Sequence, residues 1–153
     1  MKILVFSDSH GRFHGMRRAL MMHPEAEVVF FLGDGVSDLD DLTELLSGRA
    51  VIAVKGNNDW SSPYPVSQEI TLDGKKIFLT HGHAYQAKYG TEALFQAAQS
   101  RGASLVCFGH THQPLSVYQD GIYLFNPGSV TYSGTYGLID LVPSGIMTSI
   151  ANL

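Results

Sequence analysis

The chain has 153 residues, 44% hydrophobic and 16% charged, with a formal net charge of −4. That length suits one domain with a sizeable core, and the balance excludes a disordered chain. The acidic charge argues against a general binder of nucleic-acid backbones, which needs a basic face, and no apolar run approaches the ~20 residues that span a bilayer.

The opening MKILVFSDSHG lacks the length and the small-residue cleavage site of a signal peptide. Residues 3–6 read as a first strand that runs into Ser-Asp-Ser-His-Gly. A helix follows over 14–22, apolar at Met16, Ala19, Leu20 and Met22 and basic at Arg17 and Arg18; His14 and His23 near its ends read as surface residues. Residues 28–32 form a second strand leading into Gly-Asp-Gly. Ser37 with Asp40 three residues on resembles a capping box. It opens a helix with a stripe of Leu39, Leu42, Leu45 and Leu46 and a stop at Gly48. The third strand, 50–54, leads into Gly-Asn-Asn-Asp, where Gly56 is expected to let the backbone swing out of the strand. A hairpin over 71–79 turns at Asp73-Gly74 and ends in Thr-His-Gly-His. Thr91 caps a third helix with Leu94, Phe95 and Ala98 inward. Residues 105–108 lead into Gly-His-Thr-His, 122–125 into Asn-Pro-Gly-Ser, and a last hairpin pairs 136–141 with 146–150. Cys107, the single cysteine, reads as a buried small hydrophobe; it rules out an intramolecular disulfide and fits a reducing cytoplasm. The order predicts one α/β domain over 1–153, parallel at the start and antiparallel at the end.

Ligands of open α/β sheets bind beyond the carboxyl ends of the strands. Six such ends deliver Asp8 and His10, then Asp34, Asn57 and Asp59, His81 and His83, His110 and His112, and Asn126. One Gly-Asp is a turn and one His-x-His is commonplace, but here every candidate donor falls just after a strand. The set is oxygen and imidazole without thiolate, which suits Mn²⁺, Fe²⁺, Zn²⁺, Co²⁺ or Ni²⁺. About seven donors are too many for one catalytic ion with open positions. They suit two ions bridged by a carboxylate. A water between two such ions has its pKa drawn toward neutrality, giving a hydroxide nucleophile.

The motifs D-x-H, G-D, G-N-x-D, H-G-H and G-H-x-H, in this order, resemble the calcineurin-like metallophosphoesterases. The short length and the NPGS resemble their small YfcE-like phosphodiesterase branch. The resemblance runs from Asp8 to Ser129. It implies a two-sheet αββα sandwich and a dinuclear centre, with manganese the first choice of metal. Asp8, His10 and His112 would bind one ion, Asn57, His81 and His110 the other, and Asp34 would bridge them. Asn57, Asp59 and His83 are the candidate catalytic residues. For Asp59 the resemblance implies a carboxylate supporting the loop, the alternative being a plain turn residue. His83 would contact substrate or only pack. Phe13, Trp60 and Tyr85 would wall a pocket or belong to ordinary packing, and Asn126 with Gly128 would shape a turn. Many relatives carry, at the position of Asn58, a histidine thought to protonate the leaving alcohol. An amide has no such proton to give, so diesters with good leaving groups are the expected substrates, unless His83 serves as the acid.

Two readings compete with the small-diester phosphodiesterase. One is a metal-poor interaction scaffold like the retromer subunit, a relative with decayed metal motifs. The other is a phosphomonoesterase or nuclease. Tyr132 and Tyr136, read as exposed aromatics, point to a homodimer.

Overall fold

The middle strands are apolar on both faces because both faces are covered. In β1 (Lys2–Phe6), Leu4 and Phe6 enter one core layer while Ile3 and Val5 enter another. The computed structural model describes residues 1–153. After β1 come β2 (Val28–Phe31), β3 (Ala50–Ala53), β4 (Ser67–Leu72), β5 (Lys75–Thr80), β6 (Leu105–Cys107), β7 (Leu115–Gln119), β8 (Ile122–Asn126), β9 (Thr135–Val142) and β10 (Gly145–Asn152). The helices are α1 (His14–Met22), α2 (Thr43–Leu46) and α3 (Glu92–Ser100). One sheet has the order β10-β9-β1-β2-β3 and the other β4-β5-β6-β8-β7. β1, β2 and β3 pair in parallel, as do β5, β6 and β8, while β4, β7, β9 and β10 add antiparallel neighbours.

Three apolar layers hold this together. Leu4, Phe6, Val29 and Phe31 pack on Met16, Ala19 and Leu20 of α1. Val5, Phe30, Leu79, Leu105 and Phe125 fill the space between the sheets. Phe78, Val106 and Leu124 pack on Leu94 and Ala98 of α3. The result is the αββα sandwich expected from the resemblance. Cys107 lies fully buried in the middle layer, where burial pushes its thiol well above the usual range. No helix is long and apolar enough to cross a membrane.

Several elements differ from the expected ones. The second helix is a 3-10 segment over Val36–Leu42 followed by the single turn of α2, and no side chain caps either. Its buried apolar residues Val36, Leu39 and Leu42 recur every three positions, which matches the three-residue turn of a 3-10 helix. The first hairpin begins at Ser67 rather than at residue 71. β7 was not foreseen: it is a largely exposed edge strand without hydrophobic alternation. Two further 3-10 turns, His83–Tyr85 and Ala87–Tyr89, precede α3. His23 is not a free surface residue. Its Nε2 lies 2.9 Å from the hydroxyl of Tyr136, which is itself buried in the outer core layer and so gives no argument for a dimer.

Candidate metal centre

The loops after β1, β2, β3, β5, β6 and β8 meet at one end of the sandwich. The Asp8 N–H donates to the Gly33 carbonyl (2.9 Å) and His10 N–H to the Asp34 carbonyl (3.1 Å), joining two loops of the first sheet. The sheets are tied across by His110 N–H donating to Asp8 Oδ2 (3.1 Å) and by the His81 ring donating to the Leu32 carbonyl (2.6 Å). Eight non-glycine residues have positive φ. Asp73 and Asp120 belong to Asp-Gly hairpin turns and Gln86 separates two 3-10 turns, but the other five are Asp8, His10, Asp34, His110 and His112. Left-handed backbone costs a non-glycine residue ~1 kcal/mol or more, and such strain concentrates at functional sites.

Two groups of donors converge there. The donor atoms of Asp8, His10 and His112 lie within 4.8 Å of one another, and so do those of Asp34, His81 and His110. Asp8 Oδ1 is 3.3 Å from His112 Nε2, 3.6 Å from His10 Nε2 and 3.8 Å from His81 Nε2. Asp34 Oδ2 is 3.3 Å from His81 Nε2 and 4.0 Å from His10 Nε2, so it stands between the groups. Donors sharing one ion at ~2.1 Å are separated by about 3–4 Å. The donors also fit an ion chemically. Asp8 Oδ1, His10 Nε2 and His81 Nε2 are buried without any hydrogen-bond partner. Their other sides are fixed: Asp8 Oδ2 accepts from Ser7 Oγ (2.6 Å), and the Leu32 carbonyl holds His81 by Nδ1, leaving Nε2 to ligate.

The Gly-Asn-Asn-Asp loop supports this arrangement unevenly. Asp59 accepts from the N–H groups of Asp34 (2.6 Å), Gly56 (2.7 Å), Gly35 (2.9 Å) and Val36 (3.2 Å), locking two loops together. Asn58 donates its backbone N–H to Asp34 Oδ1 and its amide to Oδ2, both at 2.9 Å. Asn57 is exposed and its side chain hydrogen-bonds nothing in the chain. Gly56 is needed for a different reason than expected. Its φ is not positive, but a Cβ there would collide with the Asp34 carboxylate. Gly56→Ala is therefore expected to displace Asp34 and to weaken divalent-ion binding about 10–100-fold, as read by calorimetric titration.

A family profile described as the calcineurin-like phosphoesterase superfamily domain matches residues 1–142. The chain belongs to the calcineurin-like phosphoesterase superfamily. It is 35% identical over 130 residues to the probable metallophosphoesterase YsnB of Bacillus subtilis, covering 85% of this chain and 75% of that one. It is 30% identical over 169 residues to the phosphodiesterase YfcE of Escherichia coli K12, covering 92% of this chain and 88% of that one. Its fold matches the zinc-complexed crystal structure of Vps29 from Entamoeba histolytica with a TM-score of 0.78 at 23% identity, over 99% of this chain and 98% of that one. These kinships mark a metal-dependent phosphoester hydrolase.

In this phosphoesterase the candidate ligand groups perturb one another strongly. Burial alone would raise the Asp34 carboxyl. The hydrogen bond and charge of His81 and the two Asn58 donors outweigh it and hold Asp34 well below the usual carboxylate range. Burial likewise opposes the charged form of His81, yet Asp34, Asp8 and the Leu32 carbonyl raise its pKa overall. Burial, then the charges of His81 and Lys88, push His110 down to about 4. Burial and His81 also lower His83, whose ring centroid lies 5.5 Å from that of His81. That direction favours the neutral imidazole of His83, which can donate or accept a hydrogen bond.

Several supporting residues carry no local sequence signal. Asp38 accepts from Ser9 Oγ (2.6 Å) and Gly11 N–H (2.9 Å), fixing the first loop. Ser129 Oγ donates to the Asp8 carbonyl (2.8 Å) and Thr131 Oγ1 to that of Ser9 (2.5 Å). Tyr132 is 64% exposed, as the sequence reading expects, and its ring stacks on His112 (4.7 Å, 11°) and meets His10 edge-on (5.4 Å). Asn126 is buried, donates to the Gly109 carbonyl (3.0 Å) and accepts from Gly128 N–H (2.9 Å), which makes the expected turn. Phe13 and Tyr85 pack against the core, whereas Trp60 is 86% exposed.

Proposed function

We propose that the chain is a dinuclear phosphodiesterase of the cytoplasm, a single domain over 1–153 acting on small diesters. Asp8, His10 and His112 hold one divalent ion, Asn57, His81 and His110 the other, and Asp34 bridges them. The observation that carries this reading is the convergence of Asp8 Oδ1, His10 Nε2 and His81 Nε2, buried and unpartnered, on one space. Two ions held there would supply Lewis acidity toward phosphate oxygens and would lower the pKa of a bound water toward neutrality, making it available as the nucleophile. The imidazole and carboxylate donors suit a first-row divalent ion; manganese is the first choice implied by the resemblance, with nickel, zinc, iron or cobalt as alternatives.

The chain's own residues set the geometry. Asp59 holds the Asp34 and Gly56 loops at one separation. Asn58 orients the Asp34 carboxylate through both its donors. His83, neutral beside His81, is placed to donate a hydrogen bond to a substrate oxygen. The scaffold reading draws on the likeness to Vps29, but this chain retains all seven expected ligands. Turnover of bis(p-nitrophenyl) phosphate that vanishes with chelator and returns with Mn²⁺ supports the enzyme. A chain inactive on diesters with every divalent ion would overturn it, and greater turnover of monoesters or of nucleic acid would move it to the competing hydrolase classes.

Asn58 leaves the site without an evident acid for the leaving alcohol. Asn58→His is expected to raise turnover of alkyl diesters by up to about 10²-fold while changing aryl diesters little. The gain is smaller than a full acid contribution because the Asn58 amide bond to Asp34 is lost. An equal response of both substrate types would contradict the missing-acid account.

A further inference from the structure

Beside the metal centre lies a cavity of about 510 Å³ that the reaction as described leaves unused. It opens between the Val36–Leu42 segment and the loop after Asp59, and Asn58 is part of its wall. Since the same Asn58 donates to both oxygens of Asp34, the cavity adjoins the proposed reaction centre directly. Its volume falls within the range of small-molecule sites.

The walls define the chemistry of an occupant. Trp60 presents an indole that is 86% exposed, which leaves its flat face free to stack on a planar ring. Tyr64, half-buried against the outer core layer, also lines the cavity. Ser37, Ser61 and Asp40 offer hydroxyls and a carboxylate for hydrogen bonding. No lysine or arginine lines the cavity, so it offers no clamp for a second phosphate. A flat ring that stacks on indole and carries hydrogen-bonding edges and hydroxyls meets all of these walls at once.

Resting on the phosphodiesterase reading, we propose that this cavity is the subsite for a nucleoside esterified to the single phosphate at the metal centre, with Trp60 as its stacking platform. Trp60 then determines specificity: it binds the organic part of the diester and takes no part in the bond-breaking step. A cationic choline-like alcohol could also lie against indole and carboxylate. The single fully presented ring and the three hydroxyl or carboxylate groups favour the planar, hydrogen-bonding nucleoside.

Trp60 is the only tryptophan, so intrinsic fluorescence reports on this wall alone. Thymidine 5′-monophosphate titrated into the metal-loaded protein is expected to quench that emission saturably, and methyl phosphate to leave it unchanged. In kinetics, Trp60→Ala is expected to raise KM for thymidine 5′-(p-nitrophenyl phosphate) about tenfold with kcat nearly unchanged, and Trp60→Phe to restore most of the loss. Methyl p-nitrophenyl phosphate should respond to neither substitution. Equal quenching by both phosphates, no quenching by the nucleotide, an equal effect on both diesters, or a selective effect on a choline diester would overturn the subsite. If no diester is hydrolysed with any ion, the phosphodiesterase reading fails, and the fluorescence titration still decides whether the nucleoside site exists.

Discussion

Asp34→Asn is expected to lower kcat on an aryl phosphodiester by about 10³-fold or more, which is roughly 4 kcal/mol of transition-state stabilisation. The cause is charge and position. Asp34 Oδ2 stands 3.3 Å from His81 Nε2 and 4.0 Å from His10 Nε2, so one carboxylate serves both donor groups. A neutral amide keeps the shape and an acceptor for Asn58, but not the negative charge that two cations need between them. The fold should survive, because the change removes a charge from a buried place instead of adding one. Metal content measured beside kcat should fall below that of the unaltered chain, with the far-ultraviolet circular dichroism unchanged. Full activity at full metal content would remove Asp34 from the centre.

Asp59→Ala acts on stability first. Four backbone N–H groups, from two separate stretches of chain, converge on its two oxygens. Truncation leaves them without an acceptor in a partly buried place. Charge-assisted bonds of this kind contribute ~1.5–3 kcal/mol each when counted singly and less than additively together. The expected loss is about 3–5 kcal/mol, a fall in Tm of roughly 10 °C for a chain of this size. Asp59→Asn, which retains one oxygen acceptor, should lie between. Activity should drop with stability in Asp59→Ala, because Asp34 loses its backbone anchor. A melting temperature within ~2 °C of the unaltered protein would make Asp59 a plain turn residue.

The strand-end loops were legible because a strand covered on both faces reads as an uninterrupted apolar run. The donor residues stand directly behind such runs at Asp8, Asp34, His81 and His110. Residue type then carried the chemistry, and the αββα layers followed from the family motifs. Local periodicity failed where two periods coincide. Leu39, Leu42 and Leu46 fit an α-helical stripe, yet Val36, Leu39 and Leu42 fit a 3-10 turn equally and the chain takes the latter. An edge strand such as β7, exposed on most of its length, has no pattern to read. The supports of the centre were invisible for another reason. Ser129 meets Asp8 across 121 residues of chain, and Asp38 meets Ser9 across 29, so neither pairing leaves a trace in local spacing. Tyr132 and Trp60 look alike in sequence as isolated loop aromatics, but one stacks on His112, a candidate ligand, and the other is exposed in the wall of a neighbouring cavity.

The most direct test counts and places the ions. The chain reconstituted with Mn²⁺ and freed of excess metal should hold two ions per molecule by elemental analysis, located by anomalous scattering between Asp8, Asp34 and the four histidines His10, His81, His110 and His112. His112→Ala and His81→Ala should each retain about one ion, at the opposite position. One ion or none in the unaltered chain, or two ions bound away from Asp34, would contradict the dinuclear centre.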